Sequence, residues 1–141
     1  MNSESNNLTP NYLACGPMLS ATEAAFYRAV LWVLPHGVLC FAKVRLIDLI
    51  KPAVRNDATA TNKIIQKHVD FVLVNALDFE PIATIELDDK SHQTEKRQVR
   101  DAFVDGALAS AGIPLIRIQA RMEYNPSQLA PYFEGFVRQS A

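Results

Sequence analysis

From Ser20 onward the apolar residues recur at helical spacing. Phe26, Val30 and Val33 make one stripe, with Tyr27, Leu31 and Leu34 beside it. Ser20 and Glu23 have the spacing of a capping box, in which each side chain meets the other residue's backbone N–H. The pattern predicts a helix running to about Val33, ended by Pro35-His36-Gly37. Val38 to Val44 carries β-branched and aromatic residues and predicts a strand. Residues 45–50 mix apolar side chains with Arg45 and Asp48, as in a helical turn. Residues 51–62 are polar and read as a loop, followed by a short helical turn over Lys63–Lys67. Two strand-like runs follow, His68–Val74 and Ile82–Asp89, joined by Asn75–Glu80, a length suited to a hairpin. Beyond the polar stretch 89–95, Val99, Phe103, Ala107 and Ser110 recur at helical spacing. They predict a helix over 96–111 with Gly112 as its stop. Ile113–Ile118 is almost wholly apolar, as expected of a buried strand parallel to its neighbour after a helical crossover. Asn125-Pro126-Ser127 opens a last helix reaching to about Arg138. Residues 1–17, rich in Asn and Ser, read as a flexible tail in which Tyr12 and Leu13 are the side chains able to dock. A single α/β domain over 18–141 follows.

Three meandering strands and a crossover to a fourth make a mixed sheet, which needs helices on both faces to bury it. The chain's 141 residues suffice for one such domain. A net charge of −1 argues against a strongly basic, non-specific nucleic-acid coat protein, and leaves room for a local basic patch. Cys15 and Cys40, with histidines at 36, 68 and 92, lack the spacing of a structural zinc site. Reduced thiols and a cytoplasmic location are the expectation. The first residues do not run from basic to apolar as a secretory signal does. The longest apolar run, Ala29–Pro35, is too short to span a bilayer, so no membrane association is expected.

The chemistry lies in the strand acids. Asp70 sits within His68–Val74, and Glu86 and Asp88 sit near the end of Ile82–Asp89. Carboxylates are unusual inside strands. Alternate strand residues share a face, so Glu86 and Asp88 lie on one side, roughly 6–7 Å apart. If the two strands pair as a hairpin, Asp70 reaches the same spot. Carboxylates about 6 Å apart repel by on the order of 3 kcal/mol at an effective dielectric near 20. A divalent cation between them relieves that repulsion.

This order of elements, αβββαβ with acids at these places, resembles the restriction-endonuclease-like core of the PD-(D/E)xK nuclease superfamily. That pattern has an Asp opening the second core strand and Glu-x-Lys ending the third. Asp70 matches the first, and Glu86-Leu87-Asp88 matches the second with Asp88 in the lysine's place. The stretches Lys67–Leu73, Ile85–His92, Arg100–Phe103 and Ile113–Ile118 more closely resemble a bacterial family catalogued as domain of unknown function 2726. Glu86, Asp88 and His92 together are similar to a variant in the very-short-patch-repair-like branch. The resemblance spans about residues 19–120.

It implies a nuclease that hydrolyses phosphodiester bonds in DNA with Mg²⁺ or Mn²⁺. Asp70, Glu86 and the Leu87 carbonyl would be the metal ligands, Asp88 would bind a second ion or hold a water, and Glu23 would approach from the first helix. Lys90 or His92 would stand in for the missing lysine, His92 as general acid or base because an unperturbed histidine titrates near neutral pH. Arg97, Arg100 and Lys67 would meet the nucleic acid. The alternative is a catalytically inactive module of the same fold that binds nucleic acid or a protein partner. A chain this short also leaves room for a homodimer. The plain structural alternatives are acids at a sheet rim paired with Lys67 or Arg117, a Glu23 that only caps, and arginines paired with Asp101 and Asp105 at helical spacing.

Overall fold

The capping box at Ser20 forms as the sequence predicts. Ser20 Oγ accepts the Glu23 N–H at 3.2 Å, and Glu23 Oε1 accepts the Ser20 N–H at 2.8 Å. The computed structural model, which describes residues 8–89 and 94–136, builds α1 (Ala21–Val30) from this start. The helix ends three residues earlier than the apolar spacing predicts, because the last turn tightens. The N–H groups of Val33 and Leu34 both bond the Val30 carbonyl at 3.0 Å. Gly37, at φ +83°, then turns the chain into β1 (Val38–Arg45).

A 3-10 turn (Leu46–Asp48) leads to α2 (Ala58–Ile64), where the polar composition had suggested a loop through residue 62. Asp57 Oδ1 caps the Ala60 N–H at 3.0 Å, and Ile64 is the one side chain the helix buries. Seven residues with a single buried position leave no periodicity to read. β2 (His68–Asn75) and β3 (Pro81–Asp88) form the expected hairpin, and α3 (Glu95–Ser110) follows. β4 (Leu115–Gln119) starts two residues later than the apolar run does. Ile113 is used to close α3, its N–H bonding the Leu108 carbonyl at 3.0 Å across Gly112 at φ +76°. α4 (Pro126–Phe133) begins at the Asn125 cap and passes into a 3-10 turn at Glu134–Phe136. Its predicted end at Arg138 lies outside the described residues.

The sheet order is β1-β2-β3-β4, antiparallel across the first two pairings and parallel across the last. Each face buries one apolar cluster. Phe71, Leu73, Ile85, Leu87 and Ile118 pack with Phe26 and Val30 of α1 and with Leu129 and Phe133 of α4. Val72 and Val74 point the other way and pack with Val104 and Leu108 of α3 and Ile64 of α2. The result is a mixed α/β domain with four α-helices among the described residues. Tyr12 and Leu13 are exposed and pack into neither apolar cluster of the described residues. Both cysteines are free, and burial pushes the Cys40 thiol up to about 12, which keeps it protonated. No described helix is long and apolar enough to cross a membrane.

One irregularity of the sheet positions everything that follows. The β2–β3 ladder runs from Val74↔Pro81 to Phe71↔Ile85 and stops there. Yet β2 continues back to His68, paired with β1 as far as Arg45↔His68. β3 continues on to Asp88, paired with β4 as far as Asp88↔Gln119. The sheet therefore forks between its two inner strands.

Candidate functional site

One step beyond Phe71↔Ile85 the register sets Asp70 opposite Glu86, and here a side chain replaces the backbone ladder. Asp70 Oδ2 accepts the Leu87 N–H at 2.7 Å, a short charge-assisted bond that spans the fork. The N–H and C=O of one strand residue point to the same side, so the Leu87 carbonyl also faces the opening.

Among the described residues Glu86 is the one buried acid, 7% exposed, and its Oε1 has no hydrogen-bond partner there. Arg100 Nη2 comes within 3.7 Å of that oxygen, an ion-pair distance rather than a hydrogen bond. The guanidinium is already committed, donating to the His68 carbonyl at 2.9 Å and to Asp101 Oδ1 at 3.0 Å. Burial, and next the negative charge and hydrogen bonding of Asp70, push the Glu86 carboxyl up to about 8. Arg100 and Arg117 pull against that shift without cancelling it.

Asp88 is not brought into this pair. The parallel register sets Arg117 beside Glu86, and Arg117 Nη1 donates to Asp88 Oδ1 at 2.8 Å. The same guanidinium donates to Asp105 Oδ1 at 2.6 Å and lies 3.8 Å from Asp101 Oδ2. One arginine thus gathers three acids. Glu86 and Asp88 share a face, as the strand alternation predicts, yet the arginine on the neighbouring strand separates their roles.

Glu23 lines the same cleft but stands apart from the pair. It keeps its place in the capping box, and Lys43 Nζ lies 3.5 Å from Oε1. Burial works to raise its pKa, but the Ser20 hydrogen bonds and the Lys43 charge outweigh that and hold it below the ordinary value. Among the described residues no three His, Cys, Asp or Glu side chains gather closely enough to hold an ion together. Lys90 and His92 lie outside the described residues.

The fork opens into a cleft of about 750 Å³, bounded by the start of α1, the ends of β2 and β3, and the first turns of α3. Lys67, Lys96, Arg97 and Arg100 all line it, a concentration of cations on a chain whose net charge is −1. Lys96 and Arg97 are exposed in the first turn of α3, whose N-cap is Thr94. Lys67 is partly occupied elsewhere, with Nζ over the Phe103 ring at 4.7 Å and bonded to the Lys63 carbonyl. Of the residues singled out from sequence, the cleft therefore collects Asp70, Glu86, Leu87, Glu23, Arg97, Arg100 and Lys67. Sequence reasoning did not single out Lys96, which lines the cleft, or Lys43, which meets it only through Glu23. Lys96 reads as a solvated first-turn helix residue and Lys43 as an ordinary outward lysine of a strand, and no local signal sets either apart.

The donor set suits a hard cation. Mg²⁺ takes one or two carboxylates and completes an octahedron with waters. Asp70 and Glu86 supply the carboxylates, the Leu87 carbonyl faces the same opening, and the unbonded Glu86 oxygen is the atom a cation would satisfy.

Fold and site together define a mixed α/β domain with a carboxylate pair set in a split sheet. A family model described as protein of unknown function (DUF2726) matches residues 16–136, and the chain belongs to that family. No curated protein and no solved structure matches the chain.

Proposed function

We propose that this is a metal-dependent nuclease domain with a restriction-endonuclease-like core, hydrolysing phosphodiester bonds in DNA. The observation that carries the reading is the Asp70–Glu86 pair, two carboxylates apposed at the fork with one buried oxygen left without a partner. Asp70, Glu86 and the Leu87 carbonyl would hold Mg²⁺ or Mn²⁺. When bound, such an ion lowers the pKa of water and polarises a phosphoryl oxygen. Glu86 must release its proton to serve as a ligand, so metal affinity rises with pH up to about 8. Lys96, Arg97 and Arg100 stand at the mouth of the cleft, where they would hold the flanking phosphates and position the scissile one.

A second reading is a catalytically inactive module that binds nucleic acid or a protein partner. It is favoured by Asp88, which stands where the superfamily carries its lysine and is tied to Arg117.

The test is cleavage of duplex DNA with Mg²⁺ or Mn²⁺ by wild type and Glu86→Ala. The nuclease reading expects cleavage by wild type and a loss of about a thousandfold or more in the variant, with the fold retained by circular dichroism. Salt-dependent DNA binding by a wild type that cleaves nothing would establish the module instead.

A further inference from the structure

We propose that the outer edge of β1 is an interface with a second copy of this chain, the two β1 strands pairing antiparallel about a two-fold axis at Cys40. β1 is an edge of the sheet, with β2 on one side and no described strand on the other. The Ala76 N–H bonds the Gly37 carbonyl at 2.8 Å, and the register carries that alternation along the strand. Leu39 and Phe41 therefore direct their backbone groups to β2, while Val38, Cys40 and Ala42 turn theirs outward. Among the described residues only the Val38 N–H finds a partner there, the Pro35 carbonyl at 3.2 Å. A row of free N–H and C=O groups is a template for another strand.

The template is short. Lys43, at φ +54°, interrupts the extended backbone, and the β1–β2 ladder skips the step that would set it opposite Asp70. Residues 38–42 are the regular stretch, and Cys40 is its centre. A strand that pairs with its own copy and closes does so antiparallel, because a two-fold axis makes one surface complementary to itself. In that register Cys40 exchanges both backbone bonds with the partner's Cys40, and the Ala42 N–H meets the carbonyl of the partner's Val38.

The side chains fit the same arrangement. Leu39 and Phe41 stand on the sheet face of Val74 and Val72, their partners across β2, yet α2 and α3 leave them 39% and 44% exposed. Phe79, exposed on the hairpin, lies with its ring 6.3 Å from that of Phe41. Pairing about Cys40 sets Leu39 of each copy against Phe41 of the other, an aliphatic–aromatic pair on either side of the axis. The ends match in charge. The hairpin beside Val38 carries Asp78 and Glu80, exposed and without an ion-pair partner among the described residues. The far end of β1 carries Lys43 and Arg45, exposed although each stands beside an acid of its own chain. Antiparallel pairing brings the acidic end of one copy to the basic end of the other, whereas parallel pairing sets like against like. One strand thus supplies both halves of the match, which favours a second copy over an unrelated partner.

Sedimentation velocity of the full chain across about 1–200 µM tests this, with thermal midpoints as the check on folding. Wild type should pass from monomer to dimer in that range, with Kd on the order of 10 µM. Phe41→Lys should weaken the dimer by about 30-fold or more, since it puts a charge into the apolar seam. Ala42→Pro removes an outward N–H and should do the same. Its fold should survive, because an edge strand accepts proline where the N–H faces out. This variant separates strand pairing from simple apolar contact. Trp32→Ser, at an exposed aromatic away from β1, should leave the dimer unchanged. A wild type still monomeric at about 200 µM overturns the proposal. So does a dimer that Phe41→Lys or Ala42→Pro leaves intact, or one that Trp32→Ser dissolves.

Discussion

Glu86 and Asp88 are two residues apart on one face of β3, and the fold treats them in opposite ways. Asp88 shares Arg117 with Asp105, at 2.8 and 2.6 Å, and Asp101 stands close by. Glu86 sits deeper and faces a second carboxylate, and Arg100, 3.7 Å away, is shared with the His68 carbonyl and Asp101. The first arrangement gives its acids a shared cation and ties β4 to α3. The second leaves a buried carboxyl without a full partner, so that it holds its proton rather than carry a charge. The difference teaches that an acid's partners, more than its place in a motif, mark which carboxylates are candidates for function.

Substitutions at the two clusters should therefore have opposite signs. The largest effect is expected at Glu86. The folded carboxyl keeps its proton up to about pH 8, whereas the unfolded chain releases it near 4.5. Between those values the native state binds more protons, so the stability of the metal-free protein falls as pH rises through that window. Glu86→Gln removes the titration. It should flatten that dependence and, above pH 8, stabilise the metal-free protein by on the order of 5 kcal/mol. Urea unfolding of both proteins at several pH values checks this, and parallel pH profiles would erase the contrast.

A smaller and opposite effect is expected at Arg117. Arg117→Met leaves Asp88, Asp101 and Asp105 facing one another without their common cation. The group is partly solvated, so the loss should be about 2 kcal/mol rather than that of a fully buried pair. Chemical denaturation at neutral pH measures it. A further Asp88→Asn change should restore part of the loss, which no mere packing defect at Arg117 would allow.

Much of this contrast was legible in the sequence, and what was not has identifiable reasons. Asp70 and Glu86 announced themselves because carboxylates interrupt runs that are otherwise apolar and β-branched. The capping box, the hairpin and the crossover to β4 followed from local spacing. The shared face of Glu86 and Asp88 followed from strand alternation, but their separation did not. It depends on Arg117, 29 residues further along the chain and brought alongside only by the parallel register. The fork was invisible for the same reason, since no local pattern says where two paired strands part. Only the end of α2 was expected, as a helical turn over 63–67, and the rest escaped notice because the helix buries only Ile64.

The central claim is that Asp70 and Glu86 form a pair completed by a hard cation, and a thermal-shift titration with Mn²⁺ at pH 7.5, without DNA, tests it most directly. Ligand binding to the native state alone stabilises by about 2.7 kcal/mol at a hundredfold excess over Kd. The account predicts a wild-type midpoint that climbs by several degrees with Mn²⁺ and a Glu86→Gln midpoint that does not move. Equal responses from the two proteins, or none from wild type, would contradict it.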